Sequence, residues 1–496
     1  MRLYKKEGAT VQIISFPNEK VRKGDYLAIE DSKREESLIV QVIDMEYANI
    51  PGILEELLRN CNGDSSIEAS IEGEDVDPFE VAAHVRYIQD ARLLICKIRA
   101  STHKGKLIPT GFALPARSYA RIRNISVSEL LPCPSDKNGY PMRLGEIAEK
   151  KHLDVDVRAL DGALNIITGK KGTGKSHIAK LLTLSLISHG APVVILDLNG
   201  EYVRLGQNTK GEPNEFYSKI HVLTPKQNFK ITLEQMRIRV LLNILVNVLH
   251  LPGTSAREFR RIWHFLEQKD ALTIEELGEA IKNWRCNQHV RDALFSRYYT
   301  LLNSGLFTDN PAQATSLEDS LDRVRSGGAI VLNLQNESTT NRHILVEYVL
   351  GKLVELLTTW RLRAIFLFAE EAHLYLRETY WDDIVTRMRH FGVFTTFITN
   401  QPDTIRENIY RQVDNLFVLN FTNEHDLDPI SRAARVDACT VKSIVRDLLP
   451  HHCLVLGKVV NDFPIIVKIR NLNVQMMGQT RLFFLNKDLQ VNSIKR

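Results

Sequence analysis

The chain has no long hydrophobic run, no paired cysteines and little net charge, and each absence narrows what it can be. In its 496 residues no apolar stretch approaches the roughly 20 residues needed to cross a bilayer, so no membrane association is expected. The opening residues, MRLYKKEG, lack the apolar core of a secretion signal, which points to a cytoplasmic protein. The six cysteines, Cys61, Cys96, Cys133, Cys286, Cys439 and Cys453, are scattered singly with no CxxC pair. That argues against a disulfide framework or a zinc ribbon and suits a reducing compartment. His451, His452 and Cys453 run directly into a strand-like segment, where neighbouring side chains alternate faces, so no metal centre is expected there. The net charge of +4 does not describe a polyanion-coating protein, but it leaves room for local basic patches such as those lining a pore. No internal repeat is apparent.

What is present reads as a globular protein of two or three domains, with 44% hydrophobic and 25% charged residues. Short β-type runs recur at residues 10–15, 26–29, 37–43 and 92–98, separated by turn signals at 23–25 and Gly105. Their spacing predicts a small antiparallel barrel over residues 1–135, interrupted by one helix near 53–58. A Pro/Gly/Asp cluster at 132–139 opens a linker taken to extend over 136–160. From 161 to 470 strands alternate with helices, as in an α/β domain with a mostly parallel sheet. Strands are expected at 192–197, 329–334, 364–368, 395–399 and 415–419, each apolar enough to be covered on both faces. Residues 230–325 read as a helical insertion, and 471–496 as a tail too short for another domain.

The chemistry is carried first by GKKGTGKS at residues 169–176, which fits GxxxxGK[ST]. An apolar, β-branched run precedes it and a helix-periodic run follows, which is the context that makes the pattern meaningful. Glycines let backbone N–H groups turn toward phosphate oxygens, and the helix N-terminus adds partial positive charge. Gly169, Lys171, Gly172, Thr173, Gly174, Lys175, Ser176 and His177 are therefore the expected nucleotide-binding residues. Lys175 would reach the β- and γ-phosphates of ATP, and the Ser176 hydroxyl would ligate Mg2+.

Hydrolysis needs carboxylates as well. The segment IFLFAEEAH, residues 365–373, delivers two at the C-terminal end of an apolar strand, the edge at which ligands sit in such sheets. Glu370 is expected at the magnesium and Glu371 as the base that orients and deprotonates the attacking water. Asn400 and Gln401, ending another strand, are candidates to bond the γ-phosphate or that water. Arg387 and Arg389 stand on a helix end, from which an arginine can stabilise a neighbouring subunit's transferring phosphoryl group. Asp197 and Glu201 add two carboxylates beside the site, in structural or catalytic roles. His373, His390 and His425 read as ordinary surface or supporting residues.

Together and in this order, GKKGTGKS (169–176), DLNGEY (197–202), AEEAH (369–373), RMRHFGV (387–393) and TNQP (399–402) resemble the HerA family of hexameric DNA-translocating ATPases, relatives of FtsK. The N-terminal VRKGDYL (21–27) is similar to that family's barrel, which shares its shape with rotary ATP synthases, and residues 456–468 are similar to its closing strands. The resemblance spans most of the chain and is weakest over 230–325. It implies an α/β fold with a RecA-like P-loop core, an N-terminal small β-barrel and a helical insertion. It also implies a homo-hexameric ring that uses ATP and magnesium to drive double-stranded DNA through its pore. Such rings commonly work with a NurA-type nuclease in DNA end resection and repair; related rings serve antiviral systems. Carried over residue by residue, Lys175 and Ser176 hold phosphate and magnesium, Glu370 completes the metal shell, Glu371 activates water and Arg389 is the interface arginine. Asn400 and Gln401 stand where the family carries glutamine and arginine, and Lys170 and Lys171 replace small residues.

Pore loops must contact DNA phosphates without reading sequence, which calls for Lys or Arg. The loop with Arg204, Gly206, Lys210 and Gly211 is a candidate, and the turn at 336–341 offers hydroxyls and amides for the same purpose. Arg257, Arg260 and Arg261 read instead as a solvated helix face. Two other readings share the motifs: a conjugation- or pilus-type ATPase, and a ring acting as scaffold or switch for a nuclease or other effector.

Overall fold

The computed structural model describes residues 1–31, 36–48, 90–103, 106–108, 114–117, 119–131, 139–147, 151–371, 374, 387, 389–421, 423–434 and 436–477. The helix expected near 53–58, the turn at Gly105, most of the 132–139 cluster, His373 and most of the tail lie outside these residues. The chain divides into two compact units, Met1–Asp156 with Leu416–Arg470, and Val157–Asn415 with Asn471–Arg496. This differs from a division at 135 and 470: residues 416–470 group with the N-terminal strands.

The first unit opens with β1 (Arg2–Glu7), β2 (Thr10–Ser15), β3 (Tyr26–Asp31), β4 (Glu36–Tyr47), β5 (Arg92–His103), β6 (Lys106–Ile108) and β7 (Ala120–Ile125). They form an antiparallel sheet in the order β1-β2-β5-β4-β3-β7, with β6 on β5. Irregularities between Ile39 and Val40 and between Val42 and Asp44 break the β4–β5 register. Bulges of this kind bend a strand, and β1 comes back to approach β7, giving a barrel-like curl. The inner face alternates along each strand: Val11 and Ile13, Leu27 and Ile29, Leu38, Val40 and Val42, Leu94 and Cys96. Burial pushes the Cys96 thiol up to about 12, so it serves as a small apolar residue. The stretch read as linker contains a hairpin of β8 (Pro141–Glu146) and β9 (His152–Asp156).

The second unit carries β10 (Asn165–Thr168), β11 (Pro192–Asp197), β12 (Ile220–Leu223), β13 (Gly328–Asn333), β14 (Ile365–Glu370) and β15 (Val393–Thr399). Their order is β12-β13-β11-β14-β15-β10, all parallel. All six residues of β14 are buried, as a parallel sheet covered on both faces requires. The short edge strand β12 has only one buried residue and gave no sequence signal. Helices α1 (Lys175–Ser188) and α7 (Thr339–Thr358) are buried along most of their length. Between them lie α2 (Leu233–Asn243), α3 (Gly253–Gln268), α4 (Ile274–Asn283), α5 (Gln288–Asn303) and α6 (Leu317–Val324). Thr232 and Gln235 cap α2 reciprocally, and Thr273 accepts the Glu276 N–H to start α4. On α3, Phe259, Ile262, Trp263 and Leu266 face inward while Arg257, Arg260 and Arg261 are exposed.

The chain returns to the first unit through β16 (Asn415–Val418), α8 (Glu424–Ala433), α9 (Ala438–Arg446), β17 (His452–Gly457) and β18 (Ile465–Ile469). β17, β18, β8 and β9 pair in that order, antiparallel. The barrel is tied to these elements by polar contacts inside one unit. Arg99 bonds Gln41, Asp437 and Thr440, and the buried Tyr26 hydroxyl donates to the Pro464 carbonyl at 2.8 Å.

Candidate ATPase site

The 169–176 loop joins the end of β10 to α1, as the strand–turn–helix context predicts. Gly172 and Gly174 have φ of +81° and +113°, a region that L side chains rarely adopt, and Gly174 caps α1. The turn is closed by Thr173, whose N–H and hydroxyl both donate to the Lys170 carbonyl. Lys175 is 9% exposed and folds back on the loop, donating to Gly169 O at 3.0 Å and Lys170 O at 3.3 Å. Burial lowers its pKa, opposed by the charges of Glu371, Glu201 and Glu370. Lys171 and Gly172 are exposed, while Ser176 and His177 are half-buried on the first turn of α1.

The carboxylates arrive by strand register. Leu196 of β11 pairs with Ala369 of β14, so Asp197 and Glu370, one residue on, stand side by side at the sheet's C-terminal edge. Both are buried. Asp197 accepts the N–H groups of Glu201 at 2.9 Å and Tyr202 at 2.8 Å, which explains DLNGEY: its aspartate folds the following turn. Glu370 accepts the Asn199 N–H at 3.3 Å. Burial raises both pKa values, Glu370 furthest; the charges of Asp197 and Glu201 and a hydrogen bond to Asp197 raise it further. Glu371 follows in a left-handed conformation, φ +50°, which turns its side chain away from the strand's alternation. Burial raises its pKa as well, with the Lys175 charge opposing.

β15 runs between β10 and β14, with Thr399 beside Thr168 and Ile398 beside Glu370. Asn400 therefore emerges between the phosphate loop and the two glutamates. Its side-chain oxygen is buried and has no hydrogen-bond partner among the described residues, so it is available to a ligand or water. Gln401 is exposed, its N–H donated to the Thr399 hydroxyl. Arg389 is not with this group. It precedes β15, at the N-terminal edge of the parallel sheet, and lies 3.5 Å from Asp414. Arg387 is exposed on the same turn.

Two buried residues escaped the sequence reading, Lys180 at the site and Asp414 beside Arg389 at the opposite sheet edge. Lys180, 1% exposed, stands one helical turn beyond Ser176 with its ammonium 5.6 Å from the Tyr202 ring centre. Burial lowers its pKa against the charges of Glu201, Asp197 and Glu370. A lone lysine inside the apolar run of α1 was the available signal. Asp414 offered none, being one acid in an unremarkable loop. The two candidate pore loops are hydrogen-bonded turns. Asn208 accepts the N–H groups of Lys210 and Glu212, and Gln475 donates its N–H to Gln207 O. In the second, Ser338 caps α7, and Arg342 just beyond the turn bonds the carbonyls of Leu334 and Gln335.

Residues 143–353 match the family described as Helicase HerA, central domain. Over that region the chain is similar to HerA helicases. It is 21% identical over 359 residues to the DNA double-strand break repair helicase HerA of Saccharolobus solfataricus, covering 68% of this chain and 70% of that protein. To the protein of the same name from Sulfolobus acidocaldarius it is 23% identical over 492 residues, covering 93% and 91%. Among solved structures, VirB4 of Thermoanaerobacter pseudethanolicus aligns with a TM-score of 0.52 at 17% identity, over 68% of this chain and 98% of that one. At that identity the likeness is one of fold, the P-loop ATPase fold. The HerA likeness, this fold and the phosphate loop together mark an ATP-hydrolysing enzyme. No helix among the described residues is long and apolar enough to cross a membrane.

Proposed function

We propose that this protein is an ATP-driven DNA translocase that works as a homo-hexameric ring on double-stranded DNA. Its setting would be DNA end resection and repair in the cytoplasm, with a NurA-type nuclease as partner. One observation carries the reading: a phosphate loop and two glutamates meet at one sheet edge, while the arginine expected to complete the site stands at the opposite edge. A site built this way is finished by a neighbouring copy.

In this reading Gly169, Lys171, Gly172, Thr173, Gly174 and His177 cradle the phosphates with backbone N–H groups. Lys175 leaves its loop carbonyls to bond the β- and γ-phosphates. Ser176 and Glu370 would hold Mg2+, and the buried Asp197–Glu370 pair, whose carboxyl groups burial pushes toward protonation, fits a cation that would take a proton's place. When bound, that ion neutralises charge building on the phosphate oxygens. Glu371 accepts the proton of the attacking water, and a raised pKa brings it nearer to the operating pH, where a base is most effective. Asn400 orients the water, and Arg389 of one subunit stabilises the transition state in the next.

The test is steady-state ATP hydrolysis by wild type and Glu371→Gln, each with and without blunt double-stranded DNA. Several-fold stimulation of wild type by DNA, absent in the variant, supports the motor. A second reading, a ring that acts as scaffold or switch for a nuclease or antiviral effector, is favoured by Asn400 and Gln401 standing where the family carries glutamine and arginine. Hydrolysis indifferent to DNA would select it.

A further inference from the structure

Asp414 is a buried carboxylate that the proposed chemistry leaves unused. It stands just ahead of β16 and is 7% exposed. Its Oδ2 accepts the N–H of Leu164 at 3.0 Å, and its own N–H donates to the Leu164 carbonyl at 2.9 Å. Leu164 is the residue that feeds β10, the strand ending in the phosphate loop. The same Oδ2 lies 3.5 Å from Nη1 of Arg389, whose side chain is 49% exposed.

The placement of Arg389 is itself fixed. Gly392 donates its N–H to the Arg389 carbonyl at 3.2 Å, and its own carbonyl accepts the Ile365 N–H at 2.8 Å, at the start of β14. Gly392 has φ +90°, and a Cβ there would stand 2.8 Å from the Arg363 carbonyl oxygen. The turn carrying Arg389 is thus anchored to β14 through backbone, and its guanidinium is anchored to β10 through Asp414. Arg389 and Leu164 precede the parallel strands β15 and β10, and Asp414 is bonded to Leu164. The phosphate loop lies a strand length away, about 13 Å for the four residues of β10.

We infer that Asp414 is a positioning residue for Arg389: its carboxylate, clamped to the backbone that enters β10, holds the half-exposed guanidinium at the N-terminal sheet edge for a phosphate bound to a second copy of the chain. The inference rests on the proposed interface role of Arg389. A guanidinium has five donors in a rigid fork, so it can keep one nitrogen on Asp414 while the others engage phosphate oxygens. The carboxylate brings little mobility of its own, because the Leu164 N–H already holds it. The arrangement also links a subunit's own phosphate-loop strand to the arginine it lends, which gives neighbouring sites a mechanical connection.

The experiment is a double-mutant cycle in the full-length protein: wild type, Asp414→Asn, Arg389→Ala and the double variant, with kcat and KM for ATP measured on each. Asparagine keeps an acceptor for the Leu164 N–H and removes the charge. Arg389→Ala should lower kcat by about 10³-fold or more. Asp414→Asn should lower kcat about tenfold with KM unchanged, and should lower it no further in the Arg389→Ala background. An equal loss in both backgrounds would overturn the inference, since Asp414 would then act through β10 alone; so would full activity of Asp414→Asn. Full activity of Arg389→Ala would instead overturn the interface-arginine reading itself. Thermal melting and binding of a non-hydrolysable ATP analogue check folding. Should Asp414→Asn misfold, Asp414→Glu, which keeps the charge one methylene further out, should show the same background dependence.

Discussion

Asp197 and Glu370 end neighbouring parallel strands one residue beyond the Leu196–Ala369 pair, and their carboxyl groups are hydrogen-bonded to each other. Burial shifts both carboxyl groups toward their protonated forms, and the charge of Asp197 shifts Glu370 further. Lys175 and Lys180 are the buried cations nearby. Holding both carboxylates ionised is therefore unfavourable in the protein alone, and a divalent cation at this pair would relieve it.

That cost has a sign that stability measurements can read. The folded-state pKa of Glu370 is raised above its ordinary value of 4.5. Its contribution to stability is thus fully present below the unfolded pKa and is lost as pH rises through the raised folded value. Glu370→Gln keeps a donor for Asp197 and an acceptor for the Asn199 N–H without the charge. In magnesium-free buffer the variant should melt higher than wild type at pH 8, and the difference should shrink toward pH 5. A difference independent of pH would refute the upward shift of Glu370. The same variant should lose magnesium-dependent hydrolysis.

Glu371→Gln should lower kcat by about 10²–10⁴-fold, the usual worth of a general base, while leaving nucleotide binding intact. In wild type, burial raises the Glu371 pKa above 4.5 against the pull of Lys175. Activity needs the ionised form, so the acid limb of kcat against pH should fall above that value. A limb at the ordinary carboxylate value, or a variant of normal turnover, would sink the assignment.

Lys175 can be tested by binding alone. A ligand at 100 times its Kd stabilises the folded state by about 2.7 kcal/mol. For a domain of this size that raises the melting temperature by about 5–10 °C. Lys175→Ala should show less than a third of that shift with ATP. An undiminished shift would mean that the loop backbone binds without its lysine.

Gly392→Ala probes the turn that places Arg389. With φ +90° and the Arg363 carbonyl 2.8 Å from the new Cβ, the substitution should cost about 1–3 kcal/mol of stability. It should also lower kcat without changing KM for ATP. A variant with wild-type melting and kcat would show that this turn is not constrained.

The phosphate loop and IFLFAEE were legible from sequence because each rests on local chemistry: glycines for a left-handed turn, five apolar residues for a buried strand, acids where that strand ends. Barrel strands β2, β3, β4 and β5 were legible from their runs and turns, while β1, β6 and β7 were not, and the helices of 233–324 were legible from their periodicity. The edge strand β12 was not, since one buried residue in four leaves no pattern. The β8–β9 hairpin was hidden by the Pro- and Gly-containing stretch around it.

The sequence by itself determined that a strand, a phosphate loop and a helix follow one another, and that carboxylates end a later strand, because those are properties of neighbours in the chain. Only the tertiary structure decided that Asp197 would stand beside Glu370, that Asn400 would emerge between loop and acids, and that Arg389 would face away, 3.5 Å from Asp414. Those outcomes depend on strand order and register across more than a hundred residues. A parallel sheet fixes which strand ends meet by the packing of the helices between them, and no local pattern carries that information.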